Sequence, residues 1–259
     1  MTLQLAVAGS DEWKTAWQQI SGRLHGATIT DGDDYDGLIA DSADTVANGV
    51  SNGKPVMVPL DSAGLCDLQQ QCQSSGSLLD LYQPLRTTPS IQCVKQELVS
   101  GNLGELGLVR LHSWFDAEHS SLANDIDVAL WLVEKSPTHV YATGSNGVLQ
   151  VHLGFDNNEM AVIAHARVES GNYYSLSVVA GDGSAYADDH HNMNLLYDSS
   201  GTSALTTSQG DLFQAAAASA FAEAIRNNSP TIPSSDAERV QAVLQAVDQS
   251  RESRQAVQL

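Results

Sequence analysis

The strongest constraint in this sequence is a change of hydrophobic period after Pro84. Before it, short apolar runs alternate with segments whose apolar residues recur every three or four positions, the pattern of a parallel α/β sheet. After it, LVRLHSWF and a succession of later runs alternate with period two, the pattern of strands with one covered face. Both halves are satisfied by an α/β unit over residues 1–84, followed over residues 85–259 by an open, mostly antiparallel sheet with helices on one face.

In the first unit, strands are expected at 3–8, 27–30, 36–40, 55–60 and 78–82. Trp13, Trp17, Ile20 and Leu24 form one stripe of a helix over 12–24, capped by Ser10 or Asp11. Further helices are expected over 42–51 and from Asp61 to about Gly76, the latter carrying Leu65, Leu68 and Cys72. In the second unit, helices are expected at 90–100, 126–133, 211–226 and 235–253. Strands are expected at 138–143, 149–155, 160–168, 173–180 and 184–187, with Asn146-Gly147 and Asn157-Asn158 as hairpin turns. The stretch 198–209, small and polar, reads as a mobile loop.

With 12 Lys+Arg against 31 Asp+Glu, the formal net charge of −19 repels phosphate backbones and anionic lipid. The longest apolar runs are far too short to cross a bilayer, and MTLQLAVAGS reads as a strand rather than a secretory leader. Cys66, Cys72 and Cys93 are too few and too irregular for a disulfide framework, so a cytoplasmic location is expected.

A nucleotide-binding α/β unit needs glycines at the turn after its first strand, so that backbone N–H groups and a helix N-terminus approach the pyrophosphate. Here that turn reads AGSDEW: one glycine, with Asp11 and Glu12 where the anion would lie. No dinucleotide is therefore expected against Gly9-Ser10 in the usual pose. Asp31, ending the second strand, occupies the place of a ribose-binding acid. The run Asp188-Asp189-His190-His191 is the densest candidate metal cluster, but neighbours on a strand point to opposite faces, so no metal is expected. His152 and His165 lie on adjacent expected strands, either pairing across the sheet or bonding to neighbours.

The segment VKQELVSGNLGELGLVRLHSWF resembles the helix, glycine turn and first sheet strand of the Gfo/Idh/MocA oxidoreductases, and DVALWL, VVAGDGSAYADD and DAERVQAVLQAVDQSRESRQAVQL resemble later segments in the same order. The resemblance implies an abbreviated Rossmann-like domain and an α/β sheet domain, in enzymes that oxidise or reduce sugars and inositols with NAD(P). The functional positions depart from it. The family's G-K-x-V-x-x-E-K-P strand reads Gly53-Lys54-Pro55-Val56-Met57-Val58-Pro59-Leu60-Asp61, so Lys54 matches a structural lysine and Leu60 replaces the catalytic one. The family's D-x-x-x-H ahead of its I-D helix becomes Ser120 and Asn124, counted back from Asp127. Neither shuttles a proton near neutral pH, and loss of one such group costs about 10²–10⁴-fold in rate. About one βα unit of that pattern is also missing between Asp31 and Asp36, where the adenosine half would be flanked.

The expected function is accordingly that of a degenerate relative, without catalytic residues or cofactor, acting by association with itself or with a catalytic relative. The apolar alternation of Leu149, Val151, Leu153 and Phe155 is expected to form an uncovered sheet face that makes a homo-oligomer. An alternative is an NAD(P)-dependent oxidoreductase on a sugar or polyol, using Gly9, Ser10, Asp31 and Lys54, with Tyr82 and Arg86 on the substrate side. A third is a polyol-binding module built from Asn124, Asp127, Arg86 and Trp114, the tryptophan being either a sugar platform or a core residue.

Overall fold

The apolar runs of the first third form five short strands: β1 (Leu3–Ala8), β2 (Ala27–Thr30), β3 (Gly37–Ala40), β4 (Val56–Pro59) and β5 (Leu79–Tyr82). All pair in parallel, in the order β2-β1-β3-β4-β5. A doubly wound dinucleotide fold runs 3-2-1-4-5-6. Among the described residues no strand pairs outside β2, in agreement with the missing βα unit between Asp31 and Asp36.

The computed structural model describes residues 2–46, 50, 53–115, 121–167, 173–188, 193–198, 201–206 and 213–259. The chain divides into two units, Met1–Thr87 with Leu212–Ala237, and Thr88–Asp211 with Glu238–Leu259. The sequence reading kept 85–259 together. Residues 212–237 instead group with the first unit, because α5 (Phe213–Asn227) places Ala218, Phe221 and Ala222 in the core formed by Leu5, Trp17, Ile39 and Met57. Gly37 on β3 permits this close packing, since a Cβ there would lie 2.6 Å from Ile225 Cδ1.

Helix α1 (Asp11–Gln19) begins where the capping residues predicted: the Ser10 hydroxyl accepts the Trp13 N–H at 3.2 Å, and Asp11 and Glu12 occupy the first turn. It ends five residues earlier than expected, giving way to a 3₁₀ turn at Ser21–Arg23, where Ser21-Gly22 supports α-helix poorly. Helix α2 (Leu65–Ser75) starts after Gly64, whose φ of +75° interrupts any helix running from Asp61. Of the helix expected over 42–51, the described residues show a 3₁₀ turn at Asp44–Val46.

The second unit contains α3 (Pro89–Val99), α4 (Leu122–Val133) and most of α6 (Ser234–Ser253). Its strands are β6 (Leu106–Phe115), β7 (His139–Ser145), β8 (Val148–Gly154), β9 (Met160–Arg167), β10 (Tyr173–Ala180), β11 (Gly183–Asp188), β12 (Met193–Asp198), β13 (Gly201–Thr206) and β14 (Val257–Gln258). They form one sheet in the order β13-β12-β11-β10-β6-β9-β8-β7-β14, with only β6 and β9 parallel. Asn146 (φ 54°) and Gly147 (φ 78°) make the β7–β8 hairpin turn.

Two expectations are corrected here. The stretch read as a mobile loop contributes β13, which pairs with β12 from Met193↔Thr206 to Asp198↔Gly201, Thr202 and Thr206 suiting a ladder as well as a loop; residues 199–200 and 207–209 lie outside the described ones. The face bearing Val151, Leu153 and Phe155 is not open, these residues being at most 4% exposed. Helix α4 packs on β6 and β9, α3 packs on β11, and the Ser250 hydroxyl of α6 accepts the Ala142 N–H at 2.9 Å. The opposite face is the open one, and it exposes Tyr141, Val148, Met160 and Val179.

Candidate cofactor and substrate sites

In the first unit, the turn between β1 and α1 is occupied from within. Ser10 donates its N–H to Asp41 Oδ2 at 2.8 Å, while the hydroxyls of Thr45 and Ser42 donate to Asp41 Oδ1 at 2.8 and 3.1 Å. Asp41 follows directly on β3, whose pairing with β1 continues in the Asp41 N–H to Ala8 carbonyl bond of 3.2 Å. Burial opposes ionisation of this carboxyl, but the Ser10 N–H and the Thr45 and Ser42 hydroxyls outweigh it and hold its pKa below the ordinary value of 3.8. Gly9 has φ +134°, and a Cβ there would lie 2.3 Å from Asp41 Cγ.

These residues do not fit NAD(P). The close-approach space at Gly9 is filled by a carboxylate, the Ser10 N–H is already bonded, and Asp11 and Glu12 add charge of the wrong sign. Asp31 accepts a 2.9 Å hydrogen bond from Gln18 Nε2, which ties the candidate ribose acid to α1. Lys54 donates to the Tyr35 carbonyl at 2.6 Å and lies 5.7 Å from that ring's centroid, as a structural lysine would. Leu60, which the resemblance sets in the place of the catalytic lysine, is buried.

The substrate-side residues take structural positions. Tyr82 packs edge-on against Trp13 and Trp17, with ring centroids 5.6 Å away in each case, and burial pushes its phenol pKa up. It is a core residue of the first unit. Arg86 is buried and bonds Asp236 at 2.8 Å, which commits its guanidinium to an ion pair.

In the second unit, Ser120 lies outside the described residues, and Asn124 and Asp127 are buried within α4. Between them stands Asp125, fully buried, whose Oδ2 accepts the Ser113 hydroxyl at 2.5 Å and His165 Nδ1 at 2.7 Å. This cluster joins α4, β6 and β9. His152 and His165 do not pair: the register sets His152 opposite Val162 and His165 opposite Leu149. Trp114 stacks on Tyr173 on the open face, ring centroids 4.2 Å apart and planes 23° apart, with His112 edge-on at 4.9 Å. Among the described residues no three His, Cys, Asp or Glu side chains converge to hold a metal, and 189–191 lie outside them.

Sequence reasoning missed Asp41 and Asp125. The available signals were an acidic residue closing the apolar strand GLIA, and two acidic residues, Asp125 and Asp127, in the otherwise apolar helix segment DIDVALWL. Among the described residues no helix is long and apolar enough to cross a membrane.

No protein-family profile matches the sequence, and no curated protein matches it either. Solved structures do match over the whole chain. An aldose-aldose oxidoreductase from Caulobacter crescentus complexed with glycerol superposes with a TM-score of 0.83 at 14% identity, covering 100% of both chains. An oxidoreductase from Agrobacterium radiobacter in complex with NAD+, L-tartaric acid and magnesium gives 0.79 at 13% identity, covering 100% of this chain and 98% of that one. A scyllo-inositol dehydrogenase from Lactobacillus casei with bound NAD(H) and scyllo-inositol gives 0.78 at 18% identity, covering 100% and 99%. With its five-stranded parallel sheet and nine-stranded mixed sheet, this chain has the two-domain fold of the Gfo/Idh/MocA-type dehydrogenases.

Proposed function

We propose that this chain uses a dehydrogenase fold without dinucleotide-dependent hydride transfer, and acts by binding itself or another molecule. The observation that carries the reading is the Asp41 carboxylate seated on the Ser10 N–H, where a pyrophosphate would need that donor. Leu60 and Asn124 in the family's proton-transfer positions support it, since neither exchanges a proton near neutral pH. Calorimetric titration of the full chain with NAD+, NADH, NADP+ and NADPH tests it. No binding in the micromolar range is expected, and clear micromolar binding refutes it.

A second reading, an NAD(P)-dependent sugar or polyol oxidoreductase with the cofactor in an altered pose at Gly9, Ser10 and Asp31, is favoured by one observation. Two similar structures hold NAD+ or NAD(H), one of them together with scyllo-inositol. Reduction of NAD+ or NADP+ in the presence of an inositol or aldose would establish it.

Association is the natural use of the open face of the nine-stranded sheet. Tyr141, Val148, Met160 and Val179 are 38–51% exposed there, and burying them in a second copy removes apolar surface from water. The partner in this reading is another copy of the chain or a catalytic relative.

A further inference from the structure

We propose that Asp41 is a built-in surrogate for a ligand phosphate: its carboxylate is the anion around which the β1–α1 turn is folded, and it closes that turn to an external phosphate. The inference rests on the proposed absence of a dinucleotide at this turn, and deepens it by naming the group that stands in for one.

A turn leading into a helix N-terminus presents N–H groups that lack partners within the helix, and these favour an anion. In this chain the anion comes from the end of the neighbouring strand. Three donors converge on it: the Ser10 N–H from the turn, and the Ser42 and Thr45 hydroxyls from the segment that follows β3. Such a set is a phosphate-type cradle in its chemistry, with a backbone amide and two hydroxyls around one anionic group. Gly9 completes the match. Its φ of +134° belongs to glycine, and the space that its missing side chain leaves is taken by Asp41 Cγ at 2.3 Å.

A glycine that would admit a pyrophosphate therefore admits the chain's own carboxylate. Charge favours the smaller anion as well. Asp11 and Glu12 in the first turn of α1 repel a phosphate dianion more strongly than a single carboxylate charge. Asp41 thus has two consequences at once. It satisfies the Ser10 N–H without a ligand, and it fills the space beside Gly9.

Chemical rescue tests this in the full-length protein. Melting temperatures of wild type, Asp41→Ala and Asp41→Asn are measured in chloride, formate and inorganic phosphate at matched ionic strength. Asp41→Ala should melt lower than wild type in chloride. It should recover part of the loss in formate or phosphate, because an anion that binds the folded state raises its stability by mass action. Wild type should gain less than Asp41→Ala from each oxyanion, its response being the general stabilisation that excluded salts such as phosphate give any fold. The proposal is overturned when Asp41→Ala gains no more from either oxyanion than from chloride, or when wild type gains as much.

Asp41→Asn keeps the shape and removes the charge, and so serves where the alanine variant does not fold. Because the folded pKa lies below the ordinary 3.8, the carboxylate's contribution is present above that value and is lost as pH falls through the lower folded one. The stability gap between wild type and Asp41→Asn should therefore hold from pH 7 down to the ordinary carboxyl value of 3.8 and narrow below it, and a gap that stays constant below that value overturns the proposal. Wild-type binding of NAD(P) at this turn would sink the proposed function; failed rescue with a wild type silent toward NAD(P) sinks this inference alone.

Discussion

Replacing Asp125 by alanine removes the acceptor that joins α4 to two strands of the larger sheet. Its Oδ2 takes the Ser113 hydroxyl at 2.5 Å and the His165 imidazole at 2.7 Å, in a position with no exposed surface. The substitution leaves two donors without their acceptor, the Ser113 hydroxyl and the His165 ring N–H, at about 1–3 kcal/mol each. A body of this size loses about 2–4 °C of melting temperature per kcal/mol, so a drop on the order of 10 °C is expected. Tryptophan fluorescence during thermal unfolding separates the units, since Trp13 and Trp17 belong to the first and Trp114 and Trp131 to the second. The transition reported by the second pair should move. A double-mutant cycle with His165→Ala isolates the pairwise term, expected at about 1–3 kcal/mol for groups in direct contact. Coupling below about 0.5 kcal/mol, or a shift confined to the first unit, would refute the assignment of this cluster as a joint.

Phe221→Ala should destabilise the first unit by about 3–5 kcal/mol in urea unfolding, because the ring is fully buried between α5 and the parallel sheet. Gly147→Ala should cost about 1 kcal/mol or more through its φ of +78°, with a single ordinary contact, 3.7 Å to the Arg167 carbonyl oxygen, to set against the strain. Burial lifts the Asp80 carboxyl above its ordinary pKa despite bonds from the N–H groups of Leu81, Thr231 and Ile232. The folded state therefore holds that proton more tightly than the unfolded one, so the stability of wild type relative to Asp80→Asn should grow as pH is lowered from 7 toward 4; the opposite slope in urea titrations refutes the burial argument. Light scattering should return a homo-oligomer that tightens with salt, because screening weakens repulsion between subunits of net charge −19. A 27.5 kDa monomer at low and high salt would end the association reading.

The element pattern was legible wherever local chemistry decides it. Ser10 capping α1, the Asn146-Gly147 turn and the period switch after Pro84 all act over a few residues, and the structure follows them. The covered face of β8 was not legible, because alternation reveals two faces without saying which one the helices take. Val151 and Leu153 were therefore assigned to the open side, whereas they are buried on the face that the helices take. The site residues failed for a related reason. Asp41 bonds Ser10 across 31 positions, and Asp125 bonds His165 across 40, so no spacing rule along the chain could bring either pair together. Tyr82 and Arg86 stand where the resemblance sets substrate contacts, yet local packing against Trp13 and Trp17 and pairing with Asp236 absorb them.

The abbreviated parallel sheet leaves β2 with an unpaired edge, which in most folds is a place where another chain can add a strand. Two features blunt that risk here. The strand is four residues long, and Asp31, Asp33, Asp34 and Asp36 crowd the segment immediately after it. A second copy approaching edge to edge would find few backbone groups to pair with, and would bring a like-charged run alongside. Neutralising Asp33 and Asp34, which unlike Asp31 and Asp36 hold no bond to α1 or β1, should therefore affect colloidal behaviour before it affects folding, with aggregation rising while the melting temperature holds. An acidic run that looks featureless in the sequence thus takes over the protective work of the strand the fold has lost.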